Sequence, residues 1–356
     1  MKKLIIVSIA LIVATALGFT FYALSVCRHT DSDDDGLCDK CGKAYEDEKD
    51  VPEDPACEHR DADDDALCDK CGDIFTDGID IYSESLAYEI SSDGSYYVLT
   101  GMGECTDTEL LIPLTYNSLP VCEIGANAFY ECDNLTRVVI PDSVTRINDY
   151  AFAYCYSLTS IEIGNGVKII GEEVFAYCTG ITSIVIPDSV TDIGKAAFEH
   201  CESLGSVKLS ENLTSINTSL FYSCYSIHNL VIPESVTSIG FWAFRECSGL
   251  RSIVIPEGVT TIGEAAFGSC SALEYIEIPN NVTAIAKSSF YDCYNLTDVV
   301  IGNGVKSIGK YAFDSCLRLK NIMYRSTEDN WSSISKHSTW DRNTGNYTIT
   351  YNYTGE

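Results

Sequence analysis

Ile186-Pro187-Asp188-Ser189-Val190-Thr191-Asp192-Ile193-Gly194 runs into Lys195-Ala196-Ala197-Phe198-Glu199-His200-Cys201, and this stretch decides the architecture. Its Phe-x-x-Cys ending recurs at Phe129/Cys132, Phe152/Cys155, Phe175/Cys178 and onward to Phe313/Cys316. The nine copies are spaced 23 residues apart without an insertion. Self-similarity at a fixed period of this size means stacked structural units, because one such unit cannot bury its apolar side alone. Recurrence within the chain also marks which positions the architecture needs.

Those positions read as one coil of a solenoid. Leu158-x-x-Ile161-x-Ile163 has the alternation of a short strand with Ile161 and Ile163 facing inward. Pro or Gly follows, as in Ile186-Pro187 and Ile163-Gly164, and ends the strand. Val167 and Ile170 re-enter the core before Gly171, and Ala-Phe then starts a short helical or 3₁₀ turn that closes on Cys and Leu. With strands about 4.8 Å apart, nine coils predict a body roughly 43 Å long. The predicted fold class is therefore a repeat solenoid of short strands and short turns, preceded by small Cys/His-rich modules.

The 23-residue unit resembles the BspA-type leucine-rich repeat, a variety found on bacterial surface proteins, and the resemblance covers about 112–324. Where the general leucine-rich pattern ends its strand with an Asn or Cys ladder, this chain has Ser or Gly (Ser189, Gly166, Gly258), and its Cys ladder sits three residues before the Leu. One coil is degenerate: Leu209-Ser210 replaces Ile-Pro and Asn217 replaces Gly, which predicts a slight kink. Residues 81–111, with Tyr96-Tyr97-Val98-Leu99-Thr100-Gly101, read as an N-terminal cap. Residues 325–356 read as the closing cap, with Trp331 and Trp340 placed to cover the last coil and Ile349-Thr350-Tyr351-Asn352-Tyr353 as an edge strand. Repeat arrays need such caps for solubility.

The N-terminal 80 residues differ in kind. Met1-Lys2-Lys3 precedes an uncharged run from Leu4 to Val26, so 1–26 reads as a signal peptide or a retained membrane anchor that exports the rest of the chain. Leu24-Ser25-Val26-Cys27 also resembles a lipobox, with Val26 bulky for a good match. Residues 27–80 hold 20 acidic and 6 basic residues, a net of −14 out of −29 for the chain. They contain a module written twice, 30 residues apart: Cys27, His29, Cys38, Cys41 and Cys57, His59, Cys68, Cys71. Each copy is a Cys₃His set suited to tetrahedral Zn²⁺, which could supply folding energy that so short a segment lacks. Disulfides across the copies, or free thiols, are the other reading. Asp31, Asp33, Asp34, Asp35 and Gly36 resemble the front half of a Ca²⁺ loop, but position twelve is Gly42, so a solvated acidic loop competes with Ca²⁺ there.

Function classes narrow by exclusion. A net charge of −29 repels phosphate backbones and argues against a nucleic-acid partner. A membrane role is expected only through the N-terminal segment. The nine ladder cysteines read as small buried hydrophobes, because nine is odd and stacked side chains point the same way. Outward strand residues, among them Ser183/Val185, Asn229/Val231, Ser252/Val254 and Asp298/Val300, hold no catalytic constellation, and His200 and His228 lie in different coil segments. Sequons such as Asn134 and Asn281 matter only in a eukaryotic host. Eight tyrosines beside the Phe-x-x-Cys turns form the candidate binding surface: Tyr130, Tyr154, Tyr156, Tyr177, Tyr222, Tyr225, Tyr291 and Tyr294. Tyrosine gives contact area and a hydrogen bond at low entropy cost, and stacking between coils is its other use here. The resemblance implies adhesion: a non-enzymatic cell-surface protein presenting its solenoid to an extracellular protein or glycan. The alternatives are a structural envelope protein without a host ligand, and an enzyme in the Cys₃His modules, whose four protein ligands would leave no open position for substrate.

Overall fold

Each 23-residue copy forms one coil made of a longer strand, a shorter strand and a run of turns. The computed structural model describes residues 82–355; the export segment and both Cys/His modules, with their zinc and calcium readings, lie outside the described residues. The longer strands begin with Glu109–Leu111 and Arg137–Ile140 and continue through Ser160–Ile163 to Asn321–Tyr324. They pair parallel, with the repeat length as the register: Arg137 opposes Ser160, and Tyr275 opposes Asp298. The strand alternation puts Val138, Ile140 and Ile161 in the core, with Ile163 half-buried against it.

The shorter strands have two residues each, such as Ile169–Ile170 and Asp192–Ile193, and form a second parallel ladder. Its breaks fall between Asp192–Ile193 and Ser215–Ile216 and between Thr261–Ile262 and Ala284–Ile285. In both places the coil has lost the Gly after its Ile, to Asn217 and Ala286. Gly194 and Gly240 donate their backbone N–H to Ile170 and Ile216. At the degenerate coil the Asn217 side-chain amide instead reaches the Ile193 carbonyl, at 2.6 Å. The longer ladder also breaks beside this coil, between Ser206–Lys208 and Asn229–Val231.

The segment expected as a short helical or 3₁₀ turn is a chain of single turns. Bonds of the 3₁₀ type alternate with bonds to the next coil: Cys178 N–H reaches Phe175, while Phe175 and Tyr177 N–H reach Ala197 and Glu199. Two non-glycine residues per coil take positive φ, for example Glu173 (53°) and Tyr177 (61°). That geometry is unfavourable for an L-residue, and it persists because alternate amides of the run, those of Glu173, Phe175 and Tyr177, are tied to the next coil.

The core is a set of columns along the stack. Phe129 through Phe313 are fully buried, and their rings stack nearly parallel at 5.0–5.6 Å between centroids. Beside them each thiol from Cys155 to Cys316 donates to the carbonyl of the Phe 26 residues earlier, such as Cys224 Sγ to Phe198 O at 3.1 Å. The buried cysteines therefore act as hydrogen-bond donors that join coils. Serine after the strand joins coils in the same manner: the Ser189 and Ser235 hydroxyls donate to the Val167 and Leu213 carbonyls at 2.7 and 2.5 Å, and Ser210, in the Pro position of the degenerate coil, donates to the Val190 carbonyl at 2.6 Å.

At the start, the antiparallel hairpin Ala87–Ile90 and Tyr97–Gly101 joins the shorter-strand ladder through Leu119–Ile124. At the end, helix Glu328–Ser333 and strand Thr348–Thr350 close the stack, and Trp340 meets Phe313 edge-on at 5.9 Å. The fully buried Asp314 carboxylate receives Arg342 Nη2 at 2.6 Å and Nε at 3.0 Å, which fastens this end to the last coil. The last strands depart from the outward pattern expected of them. Val300 is fully buried, opposite Glu277, whose carboxylate holds Arg325 of the closing segment at 2.5 Å; Arg325 also meets Glu257 at 3.6 Å.

Candidate binding surface

In these Phe-x-y-Cys turns the Phe and, from Cys155 onward, the Cys are buried, while x and y differ from coil to coil: Ala153, Ala176, Ser223 and Asp314 are buried, and Tyr130, Tyr154, Tyr177, His200 and Tyr222 reach the surface. Tyr154, Tyr177 and His200 occupy y in three successive coils and therefore stack. The tyrosine rings lie 4.7 Å apart and 7° from parallel, and His200 lies 4.4 Å from Tyr177. Tyr130 and Tyr222 occupy x in the flanking coils and meet this stack edge-on at 5.3 Å each. Trp242 extends the column, 6.3 Å from Tyr222, and the Arg245 guanidinium lies 5.9 and 5.5 Å from those two rings. Tyr156 joins from the side, 6.2 Å from Tyr154. One aromatic column thus spans six coils. Part of each ring goes to inter-coil stacking and part faces outward: Tyr154 and Tyr177 are half-buried, while Tyr130, Tyr156, Phe241 (52%) and Trp242 (44%) are exposed.

Five of the eight tyrosines singled out from the sequence share this column. Tyr225, Tyr291 and Tyr294 stand outside it, the last two beside Asp292. The members that tyrosine counting missed are His200 and Trp242. The 23-residue register itself carried the signal, since His200 falls in the column of Tyr154 and Tyr177.

Carboxylates surround the rings. The turn segments of these six coils contain Glu131, Asp133, Asp149, Glu172, Glu173, Glu199, Glu202 and Glu246 against two full cations, Lys195 and Arg245, with Arg146 of the adjoining strand near Asp149 and Glu172. Both cations are already paired, Lys195 with Glu172 at 2.7 Å and Arg245 with Glu246 at 3.3 Å. Glu173 accepts the Tyr150 hydroxyl at 3.2 Å. Glu199 and Glu202 lie 4.0 and 3.9 Å from the two His200 nitrogens. Burial and then the charge of Glu173 hold the Glu199 carboxyl above its ordinary range. The Tyr154 hydroxyl is raised first by burial and then by Glu173, and that of Tyr177 by burial and then Glu199.

The remaining surfaces carry less. On the strand face Val231 and Val254 sit side by side, 78% and 77% exposed. An open groove beside Gly171 and Gly194 is lined by Arg146, Asp149, Glu172, Asp192 and Lys195, in mixed charge. The thiols of Cys178 to Cys316 are pushed well up by burial, which keeps them protonated and unreactive. Among the described residues no group of three His, Cys, Asp or Glu is placed to hold a metal ion, and no helix is long and apolar enough to cross a membrane. The eight Cys/His candidates, Cys27 to Cys71, lie outside the described residues.

The family model for the BspA type leucine rich repeat region matches residues 122–248 and 214–341, in six copies. The chain belongs to this family. Among solved structures it is similar to a leucine-rich repeat protein from Bacteroides ovatus, with 24% identity, 76% of this chain and 91% of that one covered, and a TM-score of 0.48. It is also similar to the leucine-rich repeat protein of T. pallidum (26%, 66% and 88%, TM-score 0.34). A third is a leucine rich cell surface protein from Faecalibacterium prausnitzii (24%, 74% and 98%, TM-score 0.33). No curated protein matches the chain. The column draws on several positions of the repeat: y for Tyr154, Tyr177 and His200, x for Tyr130 and Tyr222, and the residue two before the Phe for Trp242.

Proposed function

We propose that this protein is a non-enzymatic, exported binding protein of the cell surface, whose solenoid receives an extracellular protein or glycan partner on the aromatic column between Tyr130 and Trp242. The observation that carries the reading is the continuity of that column. Rings from six successive coils lie in one row at the surface, and the exposed Trp242 ends it. A long row of rigid rings suits an extended partner, because aromatic side chains supply area with little entropy to lose. Export rests on Lys2-Lys3 and the uncharged run Leu4–Val26. Zn²⁺ as the staple of the two Cys₃His modules, Cys27 to Cys71, is part of the same proposal.

The strand face is the second reading, favoured by the adjacent and exposed Val231 and Val254. Binding of the full chain to an array of matrix proteins and glycans separates the two. Loss in a Tyr154→Ser/Tyr177→Ser/Trp242→Ser variant, with binding kept in Val231→Ser/Val254→Ser, supports the column. The reverse pattern moves the site to the strands. No saturable binding to any arrayed ligand would sink the adhesion reading in favour of a structural envelope role.

A further inference from the structure

The aromatic column has an electrostatic character that narrows its partner. Tyr154 and Tyr177 present their stacked edges among Glu131, Glu173 and Glu199, and none of these three has a Lys or Arg partner among the described residues. Further along the row Arg245 already lies over Tyr222 and Trp242, so one stretch of the column holds a guanidinium supplied by the chain itself. The stretch from Tyr130 to Tyr177 has more carboxylates, and Lys195, the full cation that acts on Glu173, is already paired with Glu172 at 2.7 Å.

Resting on the reading that the column is the binding face, we propose that its partner is a cationic polypeptide segment, whose Arg or Lys side chains pair with Glu131, Glu173 and Glu199 along the exposed Tyr130 and the outer edges of Tyr154 and Tyr177. The faces of Tyr177 are covered by Tyr154 and His200, so the attraction is Coulombic, from carboxylates set at the ring edges. Arg is favoured over Lys because its planar fork can bond two carboxylate oxygens at once. The same charges repel anionic membrane lipids, nucleic acid and sulfated glycans. The raised Glu199 carboxyl agrees with this arrangement: it is a half-buried acid beside a second acid, a strain that an incoming cation relieves.

The test uses the full chain and a fluorescein-labelled twelve-residue peptide of alternating Arg and Gly, beside the same peptide with Ser for Arg and a neutral glucose hexasaccharide. Residues 27–80 carry a net −14 and attract any polycation, so the informative comparison is among full-length variants that share this segment. Glu173→Gln/Glu199→Gln and Tyr154→Ser/Tyr177→Ser should each weaken Arg-peptide binding by roughly fivefold. The Gln pair preserves side-chain shape, so it reads the charge even if the Ser pair loses its fold by circular dichroism. Replacing Arg by Lys in the peptide should weaken binding to the parent chain. Arg-peptide affinity unchanged in both variants overturns the proposal. If the hexasaccharide or the Ser peptide binds and only that binding is lost in Tyr154→Ser/Tyr177→Ser, the cationic partner is wrong while the binding face stands. If no probe depends on the column, both readings fall.

Discussion

Phe221→Ala removes one ring from the middle of the phenylalanine column. Phe221 is fully buried, and its ring is stacked 5.6 Å from Phe198 on one side and 5.6 Å from Phe244 on the other. Truncating a buried Phe to Ala costs about 3–5 kcal/mol through lost transfer energy and the cavity left behind. The middle position loses two stacked partners, whereas Phe129 has only Phe152, at 5.0 Å. Each ring pair contributes about 0.5–1.5 kcal/mol, so Phe221→Ala should exceed Phe129→Ala by about 1 kcal/mol. The total stability of a domain is only about 5–15 kcal/mol, so a break in mid-array also separates the coils on either side into weakly coupled blocks. Urea unfolding of the full chain reads this through the three tryptophans, since Trp242 reports the middle and Trp331 with Trp340 the C-terminal end. The expected result is a lowered midpoint in Phe221→Ala, with the Trp242 transition separating from the far-ultraviolet signal. A cost under about 1.5 kcal/mol, or one no larger than that of Phe129→Ala, would refute the stacked column as the continuous core.

Three further outcomes rest on the coil geometry. Cys224→Ser keeps a donor for Phe198 O, and Cys224→Ala removes it and leaves a small cavity. The Ala variant should therefore lose about 1–2 kcal/mol and more than the Ser variant in thermal melts, and the opposite order would contradict the thiol's role as a donor. Gly166→Ala should cost several kcal/mol or abolish folding, because a β-carbon there would lie 1.8 Å from the Asp142 carbonyl oxygen. The equivalent Gly258→Ala, 3.5 Å from its nearest neighbour, should fall within about 1 kcal/mol, and equal melting points for the two would refute the close approach. Glu199→Gln tests the pH behaviour. The folded carboxyl is held above its ordinary value, so the fold disfavours its charged form and gains stability as the pH falls through the raised value. The Gln variant should be more stable than the parent at pH 7, by no more than about 0.5 kcal/mol, with the difference gone below about pH 4. A less stable variant at pH 7 would show that the charge is compensated.

The sequence alone determined the solenoid, because its signals repeat. Nine Phe-x-x-Cys turns in one 23-residue register leave a single way to bury the Ile, Val, Phe and Cys positions, which is coil upon coil. It also located the turn tyrosines, since the register puts Tyr154 and Tyr177 in one column. Other features needed the tertiary structure. A thiol bonding to a carbonyl 26 residues earlier cannot be read from local pattern, because the partner is a backbone atom of the adjacent coil. The left-handed residues Glu173 and Tyr177 contradict local preference and persist only through their bonds to the next coil. Alternation placed Val300 outside, yet it is fully buried opposite Glu277, the residue that pairs with Arg325 of the closing segment, which lies outside the repeat's period. The row from Tyr130 to Trp242 draws its rings from unequal positions of the repeat. Only the stacking of coils brings His200 and Trp242 into line with the tyrosines and sets Glu173 and Glu199 beside them.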